Sequence, residues 1–168
     1  MVDSEVRILD LGLLMVVNYN VSVKATDQAM SLLCRMVKMA EFRLGNYLMH
    51  KTGVRILTVP CAFPHFELMA KDGGKDLFPV VLSPAILEKC GFVENKKYAL
   101  LPESREFVLV LPVMGSAEIA IKAYVKANKE CFARGMMNNL PLSNNLFHLH
   151  QLQNFYFAFT GNELMPQL

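Results

Sequence analysis

Ala117-Glu-Ile-Ala-Ile-Lys-Ala-Tyr-Val-Lys-Ala127 is the stretch whose reading decides the fold. Its alanines and lysines favour helix on propensity. Its pattern favours strand: Ile119, Ile121, Ala123 and Val125 alternate with Glu118, Ala120, Lys122, Tyr124 and Lys126. Alternation sustained over this length is the stronger signal, so the segment is expected to be a strand with one apolar and one polar face. Asn128-Lys-Glu130 would turn it into a second strand, Cys131 to Met137. Asn138-Asn139 would turn again, and Leu140-Pro-Leu142 would lead into a final helix.

Other segments fit an antiparallel sheet. Phe42–His50 and Val54–Val59 read as strands around a Thr52-Gly53 turn. Phe66–Ala70 and Leu77–Leu82 read as two more, around a tight turn at Asp72-Gly-Gly-Lys75. Such short strands suggest a small curled sheet or an SH3-like barrel. Ser83-Pro84 opens a short helix through Ile86 and Leu87, because serine caps and proline suits the first helical turn; Gly91 stops it. Lys97–Leu101 and Glu106–Leu111 read as a hairpin around Pro102-Glu-Ser104.

The C-terminal segment His148–Leu164 reads as an aromatic amphipathic helix. Leu149, Leu152, Tyr156 and Phe159 recur at helical spacing, Phe155 widens the stripe, and His150, Gln151 and Asn154 lie on or near the other face. Asn144 or Asn145 would cap it, and Gly161 would end it. The whole is expected to be α+β, with helices on an antiparallel sheet.

His150-Gln-Leu-Gln-Asn-Phe-Tyr-Phe-Ala-Phe-Thr-Gly-Asn-Glu-Leu164 resembles the C-terminal H-Q-L-Q-N-L-Y-F-A-L-T-G-E-E-L of a family of small proteins from gut anaerobes, their phages and mobile elements. Phe155 and Phe159 stand for leucines and Asn162 for a glutamate. Leu44-Gly-Asn-Tyr47 and Leu82–Phe92 look like two further phrases of that family, in the same order. The resemblance spans Met39 to Leu164, with Arg105–Asn139 unmatched. It implies an architecture and a genomic setting, and no activity.

Residues 1–38 have no counterpart in that family and are expected to be an N-terminal extension to one α+β domain, 39–168. Within them Val6–Val23 alternates as one or two strands, and Thr26 would cap a helix from Asp27 to about Lys38. Met39 (or Met36) reads as an alternative initiator.

At 168 residues, 53% hydrophobic and 19% charged, the chain can bury a real core. A formal charge of +2 does not by itself announce nucleic acid. Cys34, Cys61, Cys90 and Cys131 are scattered without a C-x-x-C pair, and Met-Val-Asp-Ser-Glu is acidic where a secretory signal would be basic. These features point to free thiols and a cytoplasmic setting. Asp10, Asn18 and Asn20 interrupt the apolar run from Ile8 to Val23, so no membrane span is expected.

Candidate chemistry is sparse, and binding is expected ahead of catalysis. His148 and His150, two apart on a helix, would point about 200° from each other and could not share an ion. Cys61-Ala-Phe-Pro-His65 lacks a second pair of ligands, so neither metal nor cofactor is expected. Ser83, Ser104, Ser116 and Ser143 sit in turn or cap contexts; Val113-Met-Gly-Ser116 is not a nucleophile elbow; Gly73-Gly74 is not a phosphate loop. Glu103 and Glu106 lie at the expected exposed hairpin. An enzyme would need a pocket joining His65, His148 or His150 to a carboxylate.

Two surfaces remain. A ridge of His150, Gln151, Gln153 and Asn154 on the last helix could meet a protein partner. If the two late strands pair, Lys122, Tyr124 and Lys126 would lie beside Phe132 and Arg134, a basic and aromatic face able to hold a phosphate backbone and stack bases. Such cations also simply guard exposed sheets against aggregation. The expectation is an accessory or interaction protein of a phage or mobile element, with a protein partner first and nucleic acid second.

Overall fold

Ile119–Val125 and Cys131–Met137 form the antiparallel pair that the alternation requires, and they are the centre of the structure. The structure, a computed structural model, describes residues 39–96, 104–112 and 118–167. Its strands are β1 (Tyr47–Thr52), β2 (Arg55–Pro60), β3 (Leu77–Pro79), β4 (Val93–Glu94), β5 (Arg105–Val110), β6 (Ile119–Val125), β7 (Cys131–Met137) and β8 (Leu140–Pro141). Its α-helices are α1 (Phe63–Asp72), α2 (Pro84–Lys89) and α3 (Leu149–Thr160). The class is α+β, as expected. The readings on residues 1–38, including the initiator, and on Lys97–Leu101 lie outside the described residues.

The larger sheet runs β4-β5-β6-β7-β8, all antiparallel. Residues opposite one another share a face. Ile121, Ala123 and Val125 therefore join Phe107, Cys131 and Ala133 on the inner face, where all are buried. Leu149 and Leu152 of α3 and Leu87 of α2 cover that face and are fully buried. Asn138 and Asn139 both take positive φ, 49° and 66°, which suits the tight β7–β8 turn because asparagine tolerates the left-handed region.

Gly135 makes room for an α3 side chain. A Cβ placed there would lie 1.9 Å from the Phe155 ring. Only glycine lets the helix lie on β7 at this point. Gly135→Ala is expected to displace Phe155 and destabilise the fold by roughly 1–3 kcal/mol, read as a lower urea midpoint. An unchanged midpoint would contradict this packing.

The smaller sheet runs β2-β1-β3, with β2 and β3 as its two edges. They are not paired with each other among the described residues. Three readings are corrected. Phe66–Ala70 is helical, part of α1: Pro64 sits in the first turn, the His65 Nδ1 accepts from the Ala62 N–H at 2.9 Å, and Gly73 closes the helix at φ 73°. The first strand begins at Tyr47, because Gly45 (φ 86°) and Asn46, whose Oδ1 accepts from the Arg43 N–H at 2.7 Å, make a turn before it. The third strand ends at Pro79; Val81 makes only a single bridge to His148. β5 pairs with β4, at Val93 and Glu94, on one side and with β6 on the other. The Ser83 cap holds: its Oγ accepts from the Ile86 N–H at 3.4 Å.

Candidate functional site

The outer face of the larger sheet brings the basic and aromatic residues together. Register places Lys122 opposite Arg134 and Tyr124 opposite Phe132, with Glu106 and Val108 beside them on β5. The four cationic and aromatic side chains are half-buried. The Tyr124 and Phe132 rings lie 5.4 Å apart between centroids, and Phe147, from the loop before α3, stands 6.1 Å beyond Phe132. Burial, and then the Glu106 carboxylate, raise the Tyr124 phenol above its ordinary range, so it is a neutral platform at neutral pH.

The cations around this row differ in their partners. Lys126 lies over Phe132 at 5.4 Å, but its ammonium is paired with Glu130 at 2.9 Å. Lys122 donates to the Asn139 Oδ1 at 2.8 Å, and the Arg134 Nε donates to the Asn145 Oδ1 at 2.8 Å. Both partners are neutral. Among the described residues, no carboxylate forms an ion pair with Lys122 or Arg134. The one acidic side chain opposite Tyr124, Glu106, accepts from the Asn95 Nδ2 at 2.9 Å.

The ridge on α3 is committed inside the molecule, which corrects its reading as a free surface. His150 and Gln153 are buried, at 1% and 0% exposure. The Gln153 Oε1 accepts from the Tyr47 N–H at 2.9 Å, and its Nε2 donates to the Leu164 carbonyl at 3.0 Å. Asn154 donates to the Glu41 carbonyl and accepts from the Arg43 Nε. Arg43 also forks onto Glu163 and stacks over Phe157 at 4.0 Å. The helix begins after His148, not at Asn144 or Asn145, and the Gln151 Oε1 reaches back to accept from the Phe147 and His148 N–H groups. Gln153 and Asn154 are thus bonded to this chain's own segment Glu41–Tyr47, and Gln153 also to the Leu164 carbonyl. Burial also runs differently from the expected stripe: Phe159 is 39% exposed.

His148 and His150 stand together beside Glu41, and His65 lies apart from them. His148 precedes α3 in extended conformation, so the 200° argument does not apply and its ring stacks on His150 at 5.6 Å. Phe42 stacks on the other side of His150 at 4.2 Å, and the Glu41 carboxylate stands 3.5 Å from its Nε2. Burial foremost, then His148, push the His150 pKa down to about 4; Glu41 opposes this. His65 is elsewhere, against His50 at 5.3 Å. Its Nδ1 accepts a hydrogen bond, which leaves the proton of the neutral ring on Nε2 and no lone pair there for a metal. No group of three or more His, Cys, Asp or Glu among the described residues could hold a metal ion. Burial raises the Cys61 and Cys131 thiols to about 11 and Cys90 to about 12, far from a reactive thiolate.

Among the described residues no helix is long and apolar enough to cross a membrane. No protein-family model, no curated protein and no solved structure matches this chain.

Proposed function

We propose that this protein acts by binding, and that the outer face of the β5–β6–β7 sheet is a nucleic-acid interface. The observation that carries this reading is the juxtaposition of two aromatic rings, Tyr124 and Phe132, with two cations, Lys122 and Arg134, that no carboxylate among the described residues neutralises. Aromatic faces stack on bases of any sequence, and cations beside them hold the backbone between bases. The internal use of the α3 ridge removes the surface that favoured a protein partner, which moves nucleic acid ahead. The resemblance at His150–Leu164 supports an accessory protein of a phage or mobile element. The buried free thiols of Cys61, Cys90 and Cys131 support a cytoplasmic setting.

Fluorescence anisotropy with a labelled mixed-sequence oligonucleotide at low salt tests the reading. Binding is expected, with log K falling against log salt at a slope of about −1.4 if two phosphates are neutralised on a single strand. Lys122→Ala/Arg134→Ala is expected to weaken binding by tenfold or more, on the order of two lost charge-assisted contacts, and to flatten that slope. Lys51→Ala, on the other sheet, is the control. No binding at low salt, or equal loss in the control, would overturn the interface.

A protein partner is the second reading, favoured by the β2 edge, where Ile56 and Leu57 are exposed. Such an edge can accept another strand. It predicts a self-associated species by light scattering that Leu57→Lys disperses; a monomer at high concentration would leave the edge merely exposed.

A further inference from the structure

We infer that the ligand of this face is an unpaired strand, laid along the three rings Tyr124, Phe132 and Phe147 and clamped at a phosphate by Arg134, which Asn145 positions. This rests on the nucleic-acid reading and specifies the kind of strand and how it is held.

The rings run from β6 to β7 to the loop before α3 at spacings of 5.4 Å and 6.1 Å. Phe147 is 37% exposed, yet its backbone is fixed on both sides. Its N–H donates to the Gln151 Oε1 at 2.9 Å, and its carbonyl accepts from the Leu82 N–H at 3.0 Å. Beside it, Leu146 exchanges two 2.8 Å hydrogen bonds with Ala133 of β7. An exposed aromatic on a pinned loop is a ready platform, since little freedom is lost when it takes a base. A row of rings set into a sheet reaches only bases whose faces are open. A duplex covers its base faces and would offer this row nothing but backbone.

Arg134 supplies the anion contact. Arg43 and Arg105 are forked onto Glu163 and Glu94. Arg134 instead, among the described residues, spends only its Nε–H, on a neutral amide, and its guanidinium lies 6.0 Å from the Phe132 ring. The terminal N–H groups remain for a phosphate, in the fork geometry that lysine lacks. Asn145 therefore orients the guanidinium without changing its charge.

The test is anisotropy at low salt with a labelled mixed-sequence single strand, its blunt duplex of equal length, and polyglutamate as competitor. The single strand is expected to bind at least tenfold more tightly than the duplex. Phe147→Ala is expected to cost about tenfold, the scale of one lost base stack. Asn145→Ala is expected to weaken binding severalfold while leaving the salt slope unchanged, and Arg134→Lys is expected to recover the slope without the affinity. Thermal melts confirm that each variant is folded. Equal binding of duplex and single strand would overturn the inference, as would efficient displacement by polyglutamate, which marks a general polyanion surface. Loss with Lys122→Ala/Arg134→Ala but none with Phe147→Ala or Asn145→Ala would sink this arrangement and leave the broader interface standing. Absence of binding to either nucleic acid would remove both.

Discussion

Gln153→Ala is expected to destabilise the protein by about 3–5 kcal/mol, the sum of a cavity and two stranded backbone groups. Gln153 is fully buried in the middle of α3. Its carboxamide joins three parts of the chain: the helix, the start of β1 through the Tyr47 N–H, and the C-terminal tail through the Leu164 carbonyl. Truncation leaves a donor and an acceptor buried without partners, and each such group costs about 1–3 kcal/mol. Gln153→Met separates the two contributions, because it keeps most of the volume and loses both bonds. Urea unfolding measures them. A Gln153→Ala loss below about 1 kcal/mol would mean that these bonds do not hold the strand and tail.

Acid is expected to remove about 3 kcal/mol of stability between pH 6.5 and pH 4 through His150, because its pKa is about 4 in the fold against 6.5 for an ordinary histidine. Below pH 6.5 the unfolded chain takes up a proton on this ring and the folded chain does not. The unfolded state is thereby favoured increasingly as pH falls to about 4, and the effect is flat below that. The cause is geometric. The ring is sandwiched between Phe42 and His148, with, among the described residues, the Glu41 carboxylate near enough to favour its charge. His148 is shifted the same way, chiefly by burial, and adds to the slope. His150→Phe keeps a ring against Phe42 and cannot titrate, so the difference between wild-type and variant unfolding curves isolates this contribution. Identical pH dependence in the two proteins would exclude it.

The larger sheet was legible because β6 and β7 alternate over seven residues each, and an Asn-Asn turn follows them. Their register follows from the turn between them, and so does the meeting of Lys122 with Arg134 and Tyr124 with Phe132. Phe66–Ala70 misled because a short apolar run carries no period of its own; Pro64 before it and Gly73 after it were the helix signals to weigh. The α3 ridge misled for another reason. Amphipathicity assigns polar residues to solvent, but Gln153 and Asn154 carry hydrogen bonds to main-chain groups more than a hundred residues away in sequence. No local pattern reports such a partner. Phe147 was missed because it lies between a turn and a helix, where nothing in its neighbours marks it; only the fold brings it to Phe132.

The most direct test of the central claim is an amide chemical-shift titration of the labelled protein with a short single-stranded oligonucleotide at low salt. The account predicts shifts concentrated at Lys122, Tyr124, Lys126, Phe132, Arg134 and Phe147, with the α3 amides from Leu149 to Asn154 unmoved. Shifts centred on α3 or on β2, or none at all, would contradict it.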